Sequence, residues 1–172
     1  MPKRLSDASV KNAVKDFVSE ARACVEQNLG LAAILTIFSV IFAVVESVIH
    51  EDDHEKLFRY FVDQMDDTPS WLLSPKIPKL SNDKIVDLLT EIRNSLAHQC
   101  SLPKNVALKN TVKQTSPSKF KYTITLKTFI DEAEKALSQI INDNPQAIFE
   151  LSPWQSAFTN KTMLQEPVLI IT

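Results

Sequence analysis

The stretch EIRNSLAHQC, Glu91 to Cys100, places Arg93, Asn94 and His98 within six residues. An imidazole moves protons near neutral pH, and a guanidinium grips phosphoryl or carboxylate oxygens through paired N–H donors. On a helix turning about 100° per residue, Asp87, Glu91, Asn94 and His98 fall in one line. Asn94 stands one turn before His98, where an amide can hold one ring tautomer. Arg93 lies about 140° round the wheel from His98, so only a long guanidinium curling back brings the two groups together. The same residues also fit a plain solvated face near a helix C-terminus, where Arg and His suit the helix dipole.

Other chemistry-bearing residues are weaker. HEDDH at residues 50 to 54 spells the HExxH zinc-protease pattern, but its two aspartates are natural caps for the following helix, which would break the spacing that puts both imidazoles on one metal. No metal and no cofactor are therefore expected. Cys100, two residues after His98, points about 200° away from it on a helix, a poor nucleophile–base pair. Glu46 is the single charge near the end of a long apolar run. If buried it needs a partner, and Arg93 is the candidate; otherwise it marks the exposed end of its helix.

The elements around these residues read mainly as helices. Val10, Val14, Phe17, Val18, Ala21 and Val25 recur at helical spacing, with Asp7 as cap. The apolar run from Leu29 to Val45 is short for a hydrocarbon core of ~30 Å, lacks basic flanks, and reads as a central buried helix and not a membrane span. Leu57, Phe58, Phe61, Val62 and Met65 make a third stripe, ending near Asp66 and Asp67. A proline-bearing loop anchored by Trp71, Leu72 and Leu73 follows. Ser81 caps a fourth helix with Ile85, Leu88, Leu89, Ile92 and Leu96 inward and Pro103 beyond its end.

After the fourth helix, VALKNTVK and FKYTITLK alternate with period two about QTSPSK, which predicts a β-hairpin with one apolar and one basic face. A Thr128-x-x-Asp131 capping box then opens a fifth helix, with Phe129, Ala133, Leu137 and Ile140 inward and Asn144-Pro145 at its end. Val168 to Ile171 suit either an edge strand or a surface that docks on a partner. The predicted architecture is all-α in the main: one domain over 1–172, an up-and-down bundle of about five helices (core 5–144), an inserted hairpin at 105–127, and an irregular segment at 145–172.

Composition agrees. The chain has 172 residues, 44% hydrophobic and 23% charged, enough for one sizeable core. One glycine against nine prolines rules out a Gly-rich phosphate loop. Two cysteines without CxxC spacing and no apolar leader predict a reduced, cytoplasmic protein. The net charge of −2 argues against a strong general nucleic-acid binder, yet it is unevenly spread. Ile92 to Ile130 contains no Asp or Glu but holds Arg93, Lys104, Lys109, Lys113, Lys119, Lys121 and Lys127. A phosphate backbone could be steered there; lysines on an exposed hairpin also serve to discourage edge pairing.

R-N-S-L-A-H resembles the Rx4-6H motif of the HEPN superfamily (higher eukaryotes and prokaryotes nucleotide-binding domain), in its form with Asn after Arg. The order of helices from about Leu5 to Asn144, with a long apolar second helix and the motif on the fourth, is similar too. The resemblance implies a helical bundle, a homodimer facing across the motif helices, and metal-independent ribonuclease activity. Arg93 and His98 would be the catalytic pair, Asn94 their polar companion, and Lys104, Lys109, Lys113, Lys121 and Lys127 candidate RNA contacts. It further implies toxin or phage-defence roles, with an antitoxin or neighbouring defence protein as partner. Non-catalytic members imply the alternative, a module that binds RNA, a nucleotide or a protein. Cys100 departs from members carrying Tyr two residues after the His.

Overall fold

The computed structural model describes residues 7–65, 69–74, 79–111 and 119–147. Five helices, α1 (Asp7–Glu26), α2 (Gly30–Ile49), α3 (His54–Asp63), α4 (Asn82–Gln99) and α5 (Leu126–Asp143), are interleaved with strands β1 (Leu72–Leu73), β2 (Val106–Lys109) and β3 (Tyr122–Thr125). The fold is mainly α, as predicted, with a small sheet.

The apolar stripes do the packing the sequence assigned them. Val10, Val14, Val18, Ala21 and Val25 of α1 are buried, and Phe17 packs at the rim. α2 sits between α1, α3 and α5. Its Phe38 ring meets Phe58 of α3 at 4.9 Å and Phe129 of α5 at 6.3 Å. Trp71, wholly buried, lies against Phe129 at 4.7 Å, which fixes the loop before β1 to the bundle. Gly30 opens α2 where a Cβ would come within 3.0 Å of Leu126 Cδ1 and 3.3 Å of Leu108 Cδ1, so the helix start rests directly on α5 and β2.

α2 departs from the all-round burial expected of it. Leu31 and Leu35 are 38% and 43% exposed, on a strip that continues through Ser39 to Glu46. It is the one described helix long and apolar enough to cross a membrane by composition, and half of that window is buried inside the fold.

With a single glycine in the chain, three helix ends use left-handed residues that carry side chains: Asn28 (φ 59), His50 (φ 56) and Cys100 (φ 50). At Asn28 the amide of Leu29 reaches Cys24 O (2.8 Å) and that of Asn28 reaches Val25 O (3.1 Å), the paired bonds of a Schellman ending. Asn28 Oδ1 also accepts from Asn110 Nδ2 at 2.8 Å.

Ser81 caps α4 as predicted, accepting from the Lys84 amide at 3.5 Å, and Asp53 caps α3, accepting from Lys56 at 3.1 Å. α3 ends at Asp63 with Gln64 as its C-cap, a few residues before the end expected near Asp66 and Asp67, whereas any cap by Asp7 and a strand at Val168 to Ile171 lie outside the described residues or side chains.

Two predicted features are corrected. The hairpin is not one: β2 and β3 pair parallel, with Val106 opposite Tyr122 and Leu108 opposite Ile124, while β1 pairs antiparallel on the other edge, giving the order β1-β3-β2. Period-two alternation sets faces but not direction, and the connection at 110–121 is long enough for the crossover that parallel strands require. Within the paired strands both faces are covered, as parallel sheets demand: Lys109 is 7% exposed and Thr123 and Thr125 are 1% exposed, so that part of the expected basic face is interior, while Lys121 and Lys127 at the ends of β3 are exposed.

Nor does a Thr128 capping box open α5. β3 runs straight into the helix, which begins at Leu126 with Thr125 as N-cap and no side-chain cap bond. Asp131 instead joins Glu134 in holding Arg22 of α1, at 2.8 and 2.6 Å.

Candidate functional site

α3 and α4 pack antiparallel. Arg59–Asp83 (2.5 Å) and Asn82–Asp63 (3.1 Å) tie the end of α3 to the start of α4, which sets the start of α3 beside the RNSLAH turns. Between them lies an open groove of about 430 Å³, lined by Glu55 of α3 and by Asp87, Thr90, Glu91, Asn94, Ser95, His98 and Gln99 of α4. The four residues aligned on the wheel thus share one concave surface. His98 and Asn94 are both exposed there.

Arg93 emerges on the opposite flank of α4, half-buried, and its guanidinium donates to Asn94 Oδ1 at 3.1 Å. It reaches the amide that borders the His98 groove, and no hydrogen bond to His98 forms from either Arg93 or Asn94. Asn94 therefore anchors the guanidinium, not the imidazole, contrary to the tautomer role expected of it.

Glu46 corrects a second expectation. It is exposed on α2 and makes no ion pair with Arg93, because the free strip of α2 carries it to the surface and leaves no buried charge to balance. Both groups instead act on a residue the sequence reading passed over. His54, the first residue of α3, lays its ring against Phe42 at 4.7 Å. Burial and then the positive charge of Arg93 push its pKa below the ordinary value, opposed by Asp53, Asp52 and Glu46. The neutral imidazole, able to accept a proton, is thus favoured at neutral pH. His54 was visible in the sequence only as the end of HEDDH.

That motif is no zinc site. His50 is the left-handed residue closing α2, Asp53 caps α3, and His54 begins the next helix, so the two imidazoles never share a helix face. Among the described residues no group of three or more His, Cys, Asp or Glu could hold a metal ion. Cys100 is exposed in its left-handed turn.

The lysines are dispersed. Lys104, Lys121 and Lys127 are exposed, Lys109 is buried, and Lys113 lies outside the described residues. The Lys121 ammonium lies over the Tyr122 ring at 5.1 Å. Lys127 borders a different groove, with Arg22, Glu26, Asn110 and Thr111. The described part of the His98 groove is edged by carboxylates, not ammonium groups.

Scans against protein-family models and searches of curated proteins and of solved structures give no match to this chain.

Proposed function

We propose that the chain is a metal-independent RNA endonuclease of HEPN type, acting as a homodimer through α4 in the cytoplasm, in a toxin or phage-defence setting. The observation that carries this reading is the arrangement at the end of α4: an exposed imidazole on the groove, and a guanidinium fastened to the neighbouring Asn94 with its remaining N–H groups directed at no described acceptor. Ser95 and Ala97 are small, and Ala97 is exposed, which suits close approach of a second copy.

In the reaction, a ribose 2′-oxygen forms a bond to the adjacent phosphorus as the bond to the 5′-oxygen breaks. One proton leaves the 2′-hydroxyl and one is delivered to the departing oxygen. Arg93 holds the phosphoryl oxygens as charge builds on them, and His98 moves a proton. The products are a 2′,3′-cyclic phosphate and a 5′-hydroxyl, and DNA is spared because it lacks the nucleophile.

A second reading is favoured by Glu55, Asp87 and Glu91, which edge the groove with negative charge. Carboxylates repel phosphate and attract basic side chains, so this surface also suits a non-catalytic module that docks a basic protein segment.

Incubation with mixed cellular RNA in EDTA, beside His98→Ala and Arg93→Ala, separates the two. Cyclic-phosphate ends from the wild type, lost in both variants with their melting curves unchanged, are expected. A fully active His98→Ala refutes the mechanism, and intact RNA throughout favours the binding module.

A further inference from the structure

A ribonuclease must seat phosphates, yet the groove that His98 lines is edged by Glu55, Asp87 and Glu91. Glu55 lies 3.7 Å from Arg59, whereas Asp87 and Glu91 make no ion pair among the described residues. Thr90, on the same groove, has a buried hydroxyl oxygen without a hydrogen-bond partner. Such a surface repels phosphate but not the N–H edge of a base, because a carboxylate only accepts and takes two parallel N–H donors at once. Guanine alone among the RNA bases offers that pair on its Watson–Crick edge, N1–H beside the N2 amino group. Cytosine and adenine set one amino group beside an acceptor nitrogen, and uracil sets carbonyl oxygens on both sides of a single N–H.

We propose that this groove is a guanine-recognition subsite, in which Glu91 accepts from N1–H and the N2 amino group of a guanine next to the phosphate on Arg93. This rests on the ribonuclease reading above. Glu91 and His98 line one cavity and stand seven residues apart on α4, a rise of about 10 Å. A nucleotide laid along the helix covers that span, its phosphate at Arg93 and His98 and its base edge at Glu91. Asn94, between the two, holds the Arg93 guanidinium at 3.1 Å and so keeps the positive charge at the phosphate end. The volume of about 430 Å³ falls among pockets that take small organic ligands, and the unpaired Thr90 hydroxyl is left to donate to or accept from the bound nucleotide. Opposite charges at the two ends orient it: the guanidinium attracts the phosphate, and the carboxylates exclude it from the base end. Selectivity has a repulsive part as well, since uracil in the same place turns carbonyl oxygens towards Glu91.

The test is single-turnover cleavage, in EDTA, of short oligonucleotides with a single ribose linkage, all other sugars being 2′-deoxy, and with guanine, inosine or uracil placed on either side of that linkage in turn. A bidentate side-chain contact to a base gives roughly 5-fold to 150-fold discrimination, so the wild type should cut the guanine substrate about 10-fold or more faster than the uracil one. Inosine, which lacks the N2 amino group, should fall between them. Glu91→Gln replaces one acceptor by a donor, so its guanine-to-uracil ratio should drop to within about threefold of unity with the melting curve unchanged. A merely structural role would lower both rates alike and leave the ratio as it was. A wild type that cuts the guanine and uracil substrates at rates within about threefold, or a Glu91→Gln that keeps the ratio, overturns the inference and leaves the ribonuclease standing. A wild type that cuts neither these substrates nor mixed cellular RNA removes both, and an oligolysine peptide that then shifts the NMR amide signals of Glu91 and Asn94 assigns the groove to a basic protein segment instead.

Discussion

Thr125 closes β3 and caps α5 in position only, and replacing it with valine should stabilise the protein. Its side chain is 1% exposed, its hydroxyl oxygen is buried without a hydrogen-bond partner, and the helix receives no side-chain cap bond from it. A working threonine cap is worth about 1 kcal/mol, so the general rule for N-caps forecasts a loss. Here there is no cap bond to lose. An unpaired buried hydroxyl costs ~1–3 kcal/mol by protein mutational data, and the methyl that replaces it gains ~0.8 kcal/mol of burial. The backbone bond from the Thr125 amide to Trp71 O, at 2.8 Å, is untouched, and valine keeps the β-branched shape that suits a strand. Allowing for imperfect repacking, the net gain should be about 1–2 kcal/mol. For a chain of this size each kcal/mol moves Tm by about 2–4 °C. Urea titration and thermal melting read it directly, with m unchanged. Thr125→Ser, which keeps the hydroxyl and drops the methyl, should go the other way by about 1 kcal/mol. A loss of 1 kcal/mol or more in Thr125→Val would refute the reasoning, because it would mean that the hydroxyl is bonded in the folded protein.

Two further outcomes follow from local geometry. Cys100 holds a left-handed conformation (φ 50) at the end of α4, which costs an L-residue ~1–2 kcal/mol, so Cys100→Gly should gain about 0.5–1 kcal/mol after the greater freedom of glycine in the unfolded chain is counted. Urea midpoints check it. His54 binds its proton less readily folded than unfolded, so the unfolded chain takes up more protons between its lowered pKa and the ordinary value near ~6.5. Stability should therefore fall as pH drops below about 6.5, and His54→Gln should remove that part of the slope in melts taken from pH 7.5 to 5.

What the sequence disclosed depended on whether the determinant was local. The α1 stripe from Val10 to Val25, the Ser81 cap and the end of α5 at Asn144 are written in neighbouring residues, and each stands as read. The direction of β2 against β3 is not local: alternation tells which residues share a face, and the parallel pairing emerges only from what the connection allows. β1 is two residues long, too short for any period to be seen. Asp131 matched a capping signature, yet Arg22, far off in α1, took it. Lys109 was assigned to solvent by its type, whereas the sheet covers it. At the site, the line from Asp87 to His98 was legible because helical spacing fixes it. The setting of His54 was not, because Phe42, the ring it lies against, belongs to another element and reaches it only after α2 and α3 have packed.

The central place of β3 also governs when the protein can finish folding. β3 is the strand to which both others bond, and it runs without a break into α5, which packs on α1 and α2. As the chain leaves the ribosome, α1 and α2 can pair early through contacts close in sequence, as can α3 with α4. β1 and β2 must wait with open edges until residues 122–125 arrive, since loop closure over such separations is slow. Trp71 remains without its Phe129 partner for the same interval. A ribosome paused before residue 122 would thus display two unpaired strand edges and an exposed indole, the features that chaperones bind and that promote aggregation. Emergence of β3 and α5 closes the sheet and covers the indole together, so the nascent domain should pass abruptly from protease-sensitive to resistant once α5 has cleared the exit tunnel.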